Sequence, residues 1–181
     1  MSAAAVLAVC SDNGHNFSKP VKLSITLIEG FGVAGDAHLG KTVQHLYDRR
    51  RNPESPNLRQ VHLMHAELFD ALSAQGMTVS AGEMGENIVT HGVDLLSLPR
   101  GTQLIFPSGA RIEVTGLRNP CKKLNVLHDG LLKAVLYKTS DGRILSKTGV
   151  MGIALSGGDI MAGDDITVSL PEGEHIPLSP V

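Results

Sequence analysis

The sequence predicts a mainly β fold of the α+β class: a β-barrel or closed sandwich with a few helices packed around it. Three observations lead there. The second half holds the short strand candidates ENIVT, TQLIF, RIEVTGL, VMGIALS and DITVSL, rich in the branched side chains that suit a pleated surface. Turn signals such as PSG, SGG and AGD separate them. Helical pieces are few, so strands must cover one another.

Taken in order, VLAVC reads as a short buried strand and VKLSITLIEG as a strand with partial alternation. Four glycines make GFGVAGDAHLG a loop. KTVQHLYDRRRNPESPN is polar and punctuated by prolines, which predicts a long mobile excursion. LRQVHLM predicts a strand running into the helix HAELFDALSAQG, where Leu68, Ala71 and Leu72 share a face and Gly76 supplies the stop. Two further helical pieces fall at CKKLNVL and GLLKAVL, and the tail PEGEHIPLSPV is predicted to be irregular. No composition shift marks a boundary, so residues 1–181 are read as one domain.

Composition excludes several functions. A formal charge of -2 with interspersed acids and bases argues against nucleic-acid binding by bulk electrostatics. Aromatics at 3% and no tryptophan leave no stacking platform for single strands. MSAAAVLAVC lacks a basic start and is soon followed by polar residues, so it is not read as a signal peptide. No stretch is long enough to span a membrane. Two distant cysteines, Cys10 and Cys121, make no disulfide framework, and a cytoplasmic, reducing location is the simpler reading.

The stretch TGLRNPCKKLN carries the chemistry. After the strand RIEVTGL, Asn119 can cap a helix and Pro120 can be its first residue. Cys121 then falls in the first turn, where free amides and the helix dipole favour a thiolate. Arg118, Lys122 and Lys123 add positive charge. A thiolate attacks electrophiles, carries sulfane sulfur or binds a soft metal; the plainer alternative is a small buried hydrophobe. On a helix beginning at Pro120, Lys122 and Lys123 lie about 100° apart, so only one should face a shared site. Arg118 has a planar fork suited to phosphate, and Arg59 either joins such a site or is a solvated surface arginine.

Other constellations are weaker. His62 and His65 in HLMH straddle the strand-to-helix junction, and neither a zinc-protease motif nor a C-x-x-C pair is present. His38 and His45 could join a ligand set only through the fold. GVAGD, GEMGEN and GVMGIAL match no phosphate-loop signature; they are tight turns or backbone amides lining an anion site.

These pieces together carry a resemblance. GVAGDAHLG, RQVHLMHAELFDAL, GEMGENIVTHGVDLLSLPRGTQL, VTGLRNPCKKLN and GVMGIALSGGDIMAGDDITV resemble, in order and spacing, the MOSC family, named after the C-terminal part of molybdenum cofactor sulfurases. The Arg-x-x-Cys-x-x-Leu element and the trailing Gly-Asp turn make the match specific, and the chain resembles a compact stand-alone bacterial-type member.

The resemblance implies a barrel of the pyruvate-kinase β-barrel type with peripheral helices. It implies that Cys121 carries sulfur as a persulfide or ligates molybdenum, and that Asn87 and Asp94 lie near the metal. The implied cofactor is the molybdenum cofactor (Mo-molybdopterin), with Arg59, Arg118, Lys122 and Lys123 as candidates for its phosphate. The related amidoxime-reducing components differ just before the cysteine and carry an N-terminal extension this sequence lacks. Without a pyridoxal-phosphate domain, the chain is not expected to desulfurate cysteine by itself. Three functions follow: a molybdenum-cofactor protein reducing N-hydroxylated compounds with a partner reductase, a sulfur carrier fed by a sulfur donor protein, or a non-catalytic binding module.

Overall fold

Two seven-residue strands run antiparallel through the middle of the main sheet, β8 (Arg111–Leu117) and β11 (Val150–Ser156). The computed structural model that places them describes residues 4–181, apart from the side chains at positions 47 and 48. The first three residues of MSAAAVLAVC therefore lie outside the described residues. β7 (Gln103–Ile105) and β13 (Thr167–Ser169) extend the sheet beyond β8. On the far side of β11 come β5 (Val61–His65), β6 (Ile88–His91), β1 (Ala5–Cys10) and β2 (Val21–Lys22). β5 and β6 are parallel, and the crossover between them carries α2 (Glu67–Ser73).

The fold is mainly β with few helices, as predicted. The expected closed barrel is not formed: among the described residues no sheet closes on itself, and the eight-stranded sheet ends at β13 and β2. Near these ends the chain makes one isolated bridge, Ala5 to Asp165, with Ile166 N–H donating to the Ala4 carbonyl. Gly163 N–H also donates to the Val6 carbonyl, but no ladder joins β13, which starts two residues later, to β1, which shifts register between Val6 and Ala8. That bulge turns Leu7 outward and explains why Val6 and Val9, rather than alternate residues, are buried.

VKLSITLIEG divides into β2 and β3 (Ser24–Ile28). In β3, Ile25 and Leu27 point inward and their neighbours outward. The glycine-rich loop contains a two-residue strand, β4 (Gly32–Val33), and β12 (Gly158–Met161) completes a small sheet with β3 and β4. The polar excursion holds a short helix, α1 (Leu46–Arg49), and is pinned by a Thr42–Pro56 bridge. A hairpin of β9 (Leu136–Lys138) and β10 (Ile144–Ser146) adds two strands not predicted from the sequence, both too short to show periodicity. The tail is irregular, yet Leu178 is buried in the core and Pro180 bridges to Leu117.

Burial forms two clusters. One lies within the sheets and includes Val61, Leu63, Ile112 and Val150. The other packs Met64 and Met84 beneath Leu68 and Leu72 of α2, Leu124 of α3 (Leu124–Leu127) and Leu131 of α4 (Leu131–Ala134). β5 separates them, so both its faces are covered and its run VHLM shows no alternation. In α2 only Leu68 and Leu72 are buried; Ala71, expected on the same face, is exposed.

Gly149 joins this frame to the site. It has φ +82°, a Cβ there would overlap the Leu63 carbonyl oxygen, and its own carbonyl accepts Arg118 N–H at 3.1 Å. Gly149→Ala should therefore destabilise the protein by more than about 2 kcal/mol in denaturant unfolding, whereas a loss below about 0.5 kcal/mol would show that the β5–β11 contact can relax.

Candidate functional site

The segment after β8 does not become a helix where the sequence predicts one. Arg118 N–H continues the sheet pairing by donating to Gly149, and α3 begins at Leu124 with Lys123 as its cap. Asn119 is thus no N-cap and Pro120 is not helical. Cys121 lies before a single turn closed by Leu124 N–H donating to its carbonyl at 3.1 Å. Cys121 therefore does not sit in a helix's first turn, because Arg118 N–H is committed to the sheet and α3 begins only at Leu124. The setting of the cysteine is instead a cavity.

That cavity has a volume of about 630 Å³ and is lined by Cys121, Arg118, Lys122, Lys123, Arg59 and Asn87, with Lys19 and Arg50 adding charge. Among the described residues its lining includes no carboxylate, so its field favours an anion. Both lysines line it, against the expectation that only one would; lying in a turn and at a cap, they escape the helical spacing. Cys121 is exposed and free, and Cys10 is free but buried. Burial, helped by the charge of Glu86, pushes the Cys10 thiol up to about 12.

Arg118 is the half-buried cation of this segment. Its Nη2 donates to the Met84 carbonyl at 3.1 Å, while its Nη1 is buried with no hydrogen-bond partner. Burial lowers its pKa against the opposing charges of Cys121 and Glu86. Arg59 is half-buried at the entry to β5, its amide donating to Asn57 Oδ1 at 3.0 Å. Asn87 is buried, and its amide group serves the protein: Nδ2 donates to Cys10 carbonyl and Asp36, and Oδ1 accepts from His62 N–H. Asp94 is exposed, accepts from Ser97 Oγ at 2.6 Å, and is absent from the cavity lining.

The fold also recruits residues that sequence reasoning did not single out. Asp36 is buried and accepts from Lys19 Nζ at 2.8 Å, Asn87 Nδ2 at 2.9 Å and the His38 amide at 3.0 Å. Burial pushes its carboxyl up, but His38 and Lys19 outweigh this and hold it well below the usual carboxylate range. Its one sequence signal is an acid set in a glycine-rich turn, GVAGD, and the same is true of Glu86 in GEMGEN. His38 and His45 line the cavity, and His38 meets His15 edge-on at 5.7 Å. His62 also lines it, donating from Nε2 to the Thr148 carbonyl at 2.7 Å; burial and then Arg118 lower its pKa to about 3. His65, at the junction beyond, is half-buried and outside the lining.

A mainly β protein with an exposed thiol at a cationic cavity is the class that fold and site define. The MOSC domain family model matches residues 36–167, and the chain belongs to that family. A Bacillus subtilis (strain 168) relative described as "Putative metal-sulfur cluster biosynthesis proteins YuaD" is 32% identical over 98 residues, covering 50% of this chain and 50% of that protein. The chain spans about half the length of the curated relative it matches. Among solved structures, the YUAD protein from Bacillus subtilis superposes with TM-score 0.77 at 21% identity, covering 94% of this chain and 98% of that one. YiiM from Geobacillus stearothermophilus gives TM-score 0.68 at 16% identity, over 96% and 79% of the two chains. These structural likenesses concern the fold.

Two outcomes follow. Iodoacetamide should label native Cys121 at least about a hundredfold faster than Cys10, which should react only on unfolding; comparable rates would contradict the burial of Cys10. His62 titrates near its ordinary value of 6.5 when unfolded but stays neutral to about 3 when folded. The unfolded chain therefore binds the extra proton, and stability intact above about pH 6.5 should fall by about 1.4 kcal/mol per unit as the pH drops toward 3. His62→Gln, which keeps an N–H donor, should show a shallower loss in urea unfolding between about pH 7 and about pH 5; an unchanged slope would exclude His62 as the source.

Proposed function

We propose that this MOSC protein holds the molybdenum cofactor, Mo-molybdopterin, in the cavity, with the Cys121 thiolate as the metal's protein ligand. The observation that carries the proposal is the buried, unpartnered Nη1 of Arg118, a residue that lines the cavity together with Cys121. A buried donor without an acceptor is costly, and a phosphate oxygen would satisfy it with a charge-assisted bond. The donor set agrees. Among the described residues no group of three or more His, Cys, Asp or Glu side chains could hold a metal ion. One thiol cannot retain a bare ion, whereas a metal that brings its own dithiolene sulfurs needs little more than one soft ligand.

Cys121 would face the metal, and Arg118, Lys122, Lys123 and Arg59 would take the phosphate. Asn87 would hold the wall through Asp36 and His62, and Asp94 has no part in this arrangement. When bound, the group supplies a soft metal centre that exchanges two electrons, and reduction of N-hydroxylated compounds with a partner reductase is the activity that fits it. Residues 1–181 are taken as one MOSC domain. The two free cysteines suit a reducing cytoplasm, and no helix among the described residues is long and apolar enough to cross a membrane.

The exposure of Cys121 favours a second reading, a sulfur carrier. An exposed thiol can be reached by a sulfur donor protein, hold a persulfide and pass it on, and the description of the relative at 32% identity concerns metal–sulfur cluster biosynthesis.

Protein made in a host with molybdenum and an intact pterin pathway should co-purify with both. Cys121→Ser should lose the metal, and Arg118→Ala should lower pterin retention more than Lys122→Ala or Lys123→Ala does. Wild-type molybdenum content in the serine variant would reject Cys121 as ligand. Protein free of molybdenum but with a sulfane-sulfur mass adduct on Cys121 would select the carrier.

A further inference from the structure

Behind the cavity wall sits a carboxyl with no part in the scheme above. Glu86 is 0% exposed. Its Oε1 accepts the Gly82 N–H, while its Oε2 is buried with no hydrogen-bond partner. The same turn presents the Met84 carbonyl to Arg118 Nη2. One short loop thus holds an acid and a base, each with a buried polar atom unmatched, and the two do not bond to each other. Their attraction acts across a gap in a low-dielectric interior, where it is strong and sensitive to any added charge.

The groups facing Glu86 narrow what can respond to such a charge. Arg118 acts on it from the segment after β8, and Cys10 of β1 interacts with it, with Lys19 beside that thiol. Lys19 is committed to Asp36 at 2.8 Å. Cys10 keeps its proton, because burial pushes it to about 12, and His62 beside Arg118 stays neutral to about 3. The amides of Gly82 and Met84 carry no proton that titrates. Glu86 is the acid left to change charge, and burial already pushes it up against those amides and Arg118.

We propose that an oxyanion docking on Arg118 brings a proton from solvent onto Glu86, so that anion uptake and protonation of this buried carboxyl form one linked event. This rests on the cavity being an anion site but requires neither Cys121 nor molybdenum. An anion beside the Arg118 guanidinium cancels the positive field that favours the carboxylate form of Glu86, and that carboxylate then accepts a proton with no bond broken in the ligand. By linkage the anion binds more tightly as pH falls, by up to about tenfold per unit while Glu86 titrates. Glu86 is a positioning residue: it sets the charge of the pocket through Arg118, and selects ligands that tolerate arriving with a proton.

Sulfate is a suitable probe because it does not itself titrate near neutrality. Calorimetry of sulfate binding to the full chain, in buffers of differing ionisation heat, should reveal proton uptake, and so should the Cys121→Ser protein. Glu86→Gln should still bind sulfate but lose most of the uptake and flatten the pH dependence. Should Glu86→Gln fail to fold, infrared spectra of wild type decide: a protonated-carboxyl band must grow with sulfate. Wild-type uptake in Glu86→Gln, sulfate binding without uptake or without that band, or no sulfate binding at all would overturn the proposal. Lost molybdenum with intact sulfate-linked uptake would instead overturn only the cofactor reading.

Discussion

The site depends first on a single buried carboxylate. Asp36 accepts hydrogen bonds from Lys19, from the backbone and ring of His38, and from Asn87, with the Asp12 amide at 3.4 Å. These donors come from three separate stretches: the loop after β1, the glycine-rich loop and the turn before β6. Lys19 and Asp36 have side chains only 3% and 0% exposed. Removing one partner of such a pair leaves an uncompensated buried charge, typically worth about 3–5 kcal/mol. The pair is better understood as a device for register than as a source of stability, since it fixes how three irregular loops meet around one cavity.

The cavity inherits its chemistry from where the strands end. β8 leaves the sheet beside Gly149, and the backbone bond from Arg118 to Gly149 carries the pairing one residue past the strand. This aims Arg118 inward, where the Met84 carbonyl meets its guanidinium, while Cys121, three residues on, reaches the surface. Depth and access are therefore divided between two residues of one short segment. The deep residue is a cation with an unsatisfied donor, and the shallow one is a nucleophilic sulfur. An anion that also reacts with sulfur or carries a soft metal would satisfy both.

Buried titratable groups surround this segment, and each is settled differently. Asp36 is held charged by its donors, His62 is held neutral by burial and Arg118, and Cys10 is held protonated by burial. Glu86 alone combines a raised pKa with an unmatched oxygen.

The residue pattern by itself determined the β-rich class, most of the strands and the segment that carries Arg118, Cys121, Lys122 and Lys123. Alternation, branched side chains and glycine turns are local signals, and an isolated cysteine among cations is visible without a fold. Only the tertiary structure decided that α3 starts at Leu124, because long-range pairing with Gly149 overrides the local capping signal of Asn119 and Pro120. It alone decided that the sheet stays open, since a bulge in β1 and the short β13 are settled by register between distant strands. It also decided that Lys19, Asp36, His62 and Glu86 gather around one cavity while Asp94 stays outside. Burial and charge pairing depend on which loops meet in space, and no local sequence signal encodes that meeting.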